Sequence, residues 1–101
     1  MARPYTTLKV ATCAGQGYVF TFMDSQAKEV VAPTISAESV ARALEGREVT
    51  VRNGGSFVEL SPVDGALHIK GGPLTGYQLE GYFRVDEFEG ALRSAVERNT
   101  L

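Results

Sequence analysis

The chain carries few residues equipped for chemistry, with His68 as its one histidine and Cys13 as its one cysteine. Imidazole is the side chain whose ordinary titration falls near neutrality, so any acid–base reaction would begin at His68. Hairpin geometry makes Ser61, and after it Glu59, its expected neighbours. A Ser-His-Glu set can be written from these three residues. Adjacent positions on one strand face, however, do not supply the nucleophile alignment and the oxyanion donors that acyl transfer needs, so His68 reads as an exposed strand residue.

One cysteine and one histidine also fall short of the Cys/His sets that hold zinc, and neither a metal nor a cofactor is expected. The acidic group Asp86, Glu87 and Glu89 opens a predicted helix, where the helix dipole favours carboxylates, and reads as capping. The run Gly71-Gly72-Pro73-Leu74-Thr75-Gly76 has the glycines of a phosphate cradle. It leads into a strand rather than a helix and lacks the Gly-Lys-Ser/Thr ending, so it reads as a flexible crossover loop. These residues together predict a protein that is not an enzyme.

A second constellation is more promising. Phe57, His68 and Tyr82 interleave with Arg52, Lys70 and Arg84 on what the strand pattern makes a water-facing sheet surface. Aromatic and arginine side chains are common interface anchors, and this surface is the predicted binding site. The expected function is a non-catalytic binding or interaction protein, acting by protein–protein contacts or by homodimerisation on an open sheet face. The same ingredients could stack the bases of single-stranded nucleic acid on Phe57, Tyr82 and His68 while Arg52, Lys70 and Arg84 meet the phosphates. Glu48, Glu59 and Glu80 in the same region, and a net charge of −2, oppose that second reading. A third is a small-ligand pocket or minor enzyme between sheet and helices. If the first three strands covered this surface, its aromatics would be core instead.

The elements that must position these residues follow from periodicity. Residues 5–14 alternate as a strand, with Leu8, Val10 and Thr12 opposed to Thr7, Lys9 and Ala11, and Gly15-Gln16-Gly17 supplies a turn. Tyr18 to Asp24 is rich in aromatic and branched residues and reads as a second strand. A polar turn over 24–27 leads to a short strand, Lys28 to Ala32, ended by Pro33. Ser36 can cap a helix with Ala37, Val40, Ala41 and Leu44 on one face, Glu38 and Arg42 paired at i,i+4, and Gly46 at its end. Asn53-Gly54 and Asp64-Gly65 then mark two tight hairpins.

A two-residue turn sets every cross-strand pair. Around Asp64-Gly65 the pairs are Val63:Ala66, Pro62:Leu67, Ser61:His68, Leu60:Ile69 and Glu59:Lys70. Around Asn53-Gly54 they are Val51:Ser56, Thr50:Phe57 and Val49:Val58. Both registers turn the valines and Leu60, Leu67 and Ile69 inward and Phe57 outward. Tyr77 to Val85 forms the last strand, with Gln78, Glu80, Tyr82 and Arg84 outward. Asp86 caps a final helix whose stripe is Phe88, Ala91, Leu92, Ala95 and Val96.

The expected fold is one small α+β domain over residues 1–101: a curved antiparallel sheet in the order β-β-β-α-β-β-β-β-α, with both helices packed on one face. With 101 residues, 44% of them hydrophobic and 22% charged, one core can form without disulfides or metals. The longest apolar runs are far short of the ~20 residues of a spanning helix. A lone cysteine gives no support to an oxidising compartment, and a cytoplasmic location without membrane contact is expected.

Overall fold

The structure is a computed structural model that describes residues 3–4, 7–13, 17–26 and 28–99. A two-residue strand, β1 (Arg3–Pro4), precedes β2 (Thr7–Cys13). Along β2, Val10 is buried and Leu8 and Thr12 half-buried, while Thr7, Lys9 and Ala11 are exposed, as the alternation predicts. The expected turn at Gly15-Gln16 and the side chain of Cys13 lie outside the described residues. β3 (Gly17–Met23) pairs antiparallel with β2 on one side and with β4 (Glu29–Val31) on the other.

α1 (Ala37–Leu44) starts where the sequence signals it, because the Ser36 hydroxyl accepts the Ser39 N–H at 3.1 Å and satisfies one of the free donors of the first turn. Arg42 donates to Glu38 across one turn at 2.9 Å. The helix buries Val40 and Ala43, with Leu44 half-buried, and leaves Ala37 and Ala41 exposed. Its apolar stripe is thus rotated from the one its spacing predicts. β5 (Val49–Asn53), β6 (Ser56–Val63), β7 (Ala66–Pro73), β8 (Leu79–Arg84) and α2 (Val85–Asn99) complete the chain.

The α+β class and the order of elements are those expected from sequence, with β1 added at the front. The strands divide between two sheets. One runs β2–β3–β4; the other runs β1–β8–β7–β6–β5, with β1 parallel to β8 and the remaining neighbours antiparallel. All five pairs expected around Asp64-Gly65 are present. The other hairpin is displaced by two residues: its loop is Gly54-Gly55, and Asn53 pairs with Ser56, Arg52 with Phe57 and Val51 with Val58. A type I′ loop needs positive φ at both central positions, and Gly54 and Gly55 adopt +58° and +84°. Two glycines meet that requirement at lower cost than Asn-Gly. A shift of two preserves the period of the strand, so every face assignment survives.

The inner face of the larger sheet, carrying Val58, Leu60, Leu67, Ile69 and Leu79, packs against Phe20 and Phe22 of β3, Val30 of β4, and both helices. Phe88 of α2 lies edge-on to Phe20 at 5.7 Å and to Phe83 at 5.9 Å between ring centroids, an arrangement favoured by the ring quadrupoles. α2 follows β8 without a loop. Asp86 therefore stands in its first turn rather than at its cap, with its carboxylate accepting from the Glu87 N–H at 2.9 Å and from Arg84 at 3.3 Å. At the far end, Arg98 donates to the Val10 carbonyl at 2.8 Å and ties α2 to β2.

The two sheets come into close contact at Gly71. That residue and Gly72 belong to β7 and are buried, which corrects the crossover loop expected over 71–76 to a shorter one after Pro73. A Cβ on Gly71 would stand 2.5 Å from the Phe22 ring. Hydrogen at this position lets the ring lie on the backbone of β7.

A polar joint stands beside this contact. Asp24, 8% exposed, accepts the N–H groups of Gln26 and Lys28 on Oδ1, both at 2.9 Å, and thereby shapes the turn into β4. Its Oδ2 accepts the hydroxyl proton of Tyr77 from the segment that leads into β8. The Lys28 ammonium lies 4.2 Å from the centre of the Tyr77 ring, within cation–π range. The Tyr77 hydroxyl, and after it the Lys28 N–H, hold the Asp24 carboxyl below its ordinary value of 3.8, against the opposing effect of burial.

Two measurements test this joint. Gly71→Ala should lose about 1–3 kcal/mol in denaturant unfolding because Phe22 must move. Gly90→Ala, in the middle of α2 with no atom within 4 Å of the new Cβ, should gain about 0.5–1 kcal/mol. A group whose folded pKa is depressed stabilises the fold above its unfolded value and loses that contribution as pH falls through the folded one. Asp24→Asn should accordingly be less stable than the wild-type chain at pH 7, and thermal melts should show the gap closing as pH falls below 3.8.

Candidate functional site

The outer face of the larger sheet brings together most of the residues singled out from sequence. Pairing across β6, β7 and β8 sets Ser61, His68 and Tyr82 in one row, and Glu59, Lys70 and Glu80 in the next. Lys70 therefore lies directly between two carboxylates, an alternation that stabilises neighbouring strands. Arg52 is next to Phe57 at one end, and Arg84 is opposite Ala66 at the other. The first three main strands, β2 to β4, pack on the inner face and leave this one uncovered.

His68 and Tyr82 form the centre. Their rings are 5.0 Å apart at a 46° tilt. The His68 Nε2 lies 2.7 Å from Glu80 Oε1, so against an ionised carboxylate it carries the proton and donates. The imidazole side chain is only 20% exposed, whereas Tyr82, its ring neighbour, is 69% exposed. An aromatic this exposed loses little rotamer freedom when covered and brings both an apolar ring and a hydroxyl to a contact. Arg84 is exposed beside it and bonded only loosely, to Asp86.

Two expectations change here. Phe57 holds the outward register position, yet it is 5% exposed and so cannot serve as an accessible anchor. The segment after β7 folds back at this end, with the Leu74 N–H on the Gly55 carbonyl at 2.7 Å and the Gln78 amide on the Pro73 and Leu74 carbonyls. Ser61 stands opposite His68 as expected, but the hydrogen-bond partner of His68 is Glu80. The Ser61 hydroxyl instead donates to Glu48 at 3.4 Å, on the side away from β7. Alternation placed Glu80 on this face, but not beside His68, because β7 and β8 are joined by a loop too long to set a register.

Two surface grooves flank α2. One, of about 360 Å³, has Leu44, Leu92 and Val96 in its floor and Glu89, Arg93 and Glu97 on its rim. The other, of about 450 Å³, runs between α2 and β2 past Leu8, Val10 and Ala91, where Arg98 is already engaged. Their volumes lie within the range of ligand sites, but the polar groups of the first alternate along one helix face rather than converging on a point. Among the described residues, no cluster of three His, Cys, Asp or Glu side chains could hold a metal, and no helix is long and apolar enough to cross a membrane.

No protein-family model, no curated protein and no solved structure matches the chain. The site must therefore be judged on its own geometry. The difference between Phe57 and Tyr82 can be measured directly: Phe57→Ala should cost about 3–5 kcal/mol as a core truncation, and Tyr82→Ala under about 1 kcal/mol, by chemical denaturation.

Proposed function

We propose that this chain is a non-catalytic binding protein that engages a protein partner through the outer face of its five-stranded sheet. The observation that carries the reading is Tyr82, exposed at 69% yet held in place by the His68 ring and, through it, by Glu80. A large side chain kept rigid and uncovered has little to offer the fold and much to offer an interface. Arg52 and Arg84 supply flanking donors, and the alternating charges of Glu59, Lys70 and Glu80 suit a polar rim.

A non-catalytic role is supported by the Ser61 hydroxyl, which bonds to Glu48 rather than to the imidazole opposite it. The single cysteine suits a reducing, cytoplasmic setting. The nucleic-acid alternative loses one stacking platform with Phe57, and carboxylates sit in the row that would meet phosphates.

A photo-crosslinking residue at Tyr82, expressed in the cells that make the protein, should yield a discrete protein adduct that is absent when the same residue replaces Ser94 on α2. Arg84→Ala should weaken that adduct on the order of tenfold, as for an interface anchor. Equal labelling from both positions would remove the reading. Salt-dependent binding of an oligonucleotide, lost in Tyr82→Ala, would transfer the face to nucleic acid.

A further inference from the structure

β5 ends the larger sheet: β6 pairs one side of it, and among the described residues no strand pairs the other. Which backbone groups face outward follows from the hairpin. The Gly54-Gly55 loop brings the Asn53 carbonyl to the Ser56 N–H, so the backbone of Asn53 faces β6. Facing alternates along an antiparallel strand, so Val51 and Val49 also bond toward β6. Thr50 and Arg52 are left with N–H and C=O groups directed out of the sheet. Edge strands are usually guarded by charged side chains, proline or a bulge; the sequence of β5, Val-Thr-Val-Arg-Asn, holds no proline and a single charge, Arg52, which an opposite charge on a second strand can neutralise.

We propose that this edge pairs with the same edge of a second copy of the chain, antiparallel about a two-fold axis at Thr50. In that register Thr50 meets Thr50 of the second copy, Val49 meets Val51, and Glu48 meets Arg52, the last two pairs each occurring twice by symmetry. Threonine pairs, branched aliphatic pairs and opposite charges are the combinations that stabilise neighbouring antiparallel strands. Val49 and Val51 are half-buried at the margin of the core, and a second copy extends that apolar margin. Thr50, Arg52 and Glu48 are exposed, and the contact with Ser61 places Glu48 on the outer face with the other two.

The backbone agrees with the side chains. Thr50 and Arg52 direct their groups outward, and in this register they oppose Thr50 and Glu48 of the second copy, which do the same; the three pairs supply about six hydrogen bonds. Moving the axis by half a residue would set outward groups against inward ones. Moving it to Val51 keeps the backbone bonds but places Glu48 against Gly54 and loses both charge pairs. α1 packs over β5 and β6, so with strands ~4.8 Å apart the two α1 helices would lie about 10 Å from each other, an ordinary packing distance.

A pairing this short buries little surface and belongs with transient contacts, with a dissociation constant on the order of 1–100 μM. It does not depend on what the outer face binds. Sedimentation velocity of the full chain from about 5 μM to about 1 mM should show a monomer–dimer equilibrium in that range. Arg52→Glu should weaken it on the order of tenfold, and the exchange Glu48→Arg/Arg52→Glu should restore it to within about threefold. Thr50→Pro, which removes an outward N–H, should abolish the dimer with an unchanged circular dichroism spectrum. Tyr82→Ala should leave the dimer intact, which separates this edge from the outer face. A monomer at every concentration, a dimer indifferent to Thr50→Pro in folded protein, or an exchange that fails to recover would overturn the proposal.

Discussion

Packing of the Phe22 ring onto the bare backbone of Gly71 is the contact on which the rest of the architecture depends. It sets how closely the two sheets approach, and so where Val30, Phe20 and the helices can sit over Leu60, Leu67 and Ile69. Interiors pack at crystal-like density, so a single methyl at this point would be felt through the surrounding core. Asp24 adds direction to what the apolar contact leaves unspecified. Its carboxylate shapes the β3–β4 turn with one oxygen and takes the Tyr77 hydroxyl with the other. One side chain thereby couples the smaller sheet to the segment that feeds β8, and β8 carries Glu80, Tyr82 and Arg84.

The consequence for the outer face is that its central strands are held from behind. β7 is fixed by Phe22 over Gly71, and β8 by Tyr77 and by the Phe83–Phe88 contact. His68 and Tyr82 are neighbours across these two strands, so the ring pair stands on backbone anchored by the core beneath it. The edge strand β5 lies two strands from this centre, and among the described residues no strand pairs its outer side; Arg52 is the residue that the face and the edge share.

Much of the fold was legible in the chain. Asp64-Gly65 specified its hairpin to the residue, because only one two-residue loop was possible there. Asn53-Gly54-Gly55 offered two, and propensity alone could not choose between them; the hairpin took the pair of glycines and shifted Arg52 opposite Phe57. Ser36 was readable as a cap because its hydrogen bond is local. Asp86 was not, because the chain passes from β8 into α2 without a loop, and the helix begins at Val85, two residues earlier than a cap at Asp86 would allow. Of the candidate surface, Arg52, His68, Lys70, Tyr82 and Arg84 fell where alternation put them. Phe57 kept its face and lost its exposure, since period two assigns a side of the sheet and says nothing of what folds back over its end.

Local and short-range physics, then, was determined by the sequence itself: the α+β class, the element order, the inward and outward sets on each strand, and the hairpin at Asp64-Gly65. Those depend on period, turn stereochemistry and capping within a few residues. The tertiary structure decided what depends on contacts between distant segments. It divided the strands into two sheets, placed β2 to β4 on the inner rather than the outer face, chose Glu80 for His68 across a long loop, and brought Asp24 to Tyr77. Each of these pairs residues whose separation along the chain leaves their register free, and only packing against a common core removes that freedom.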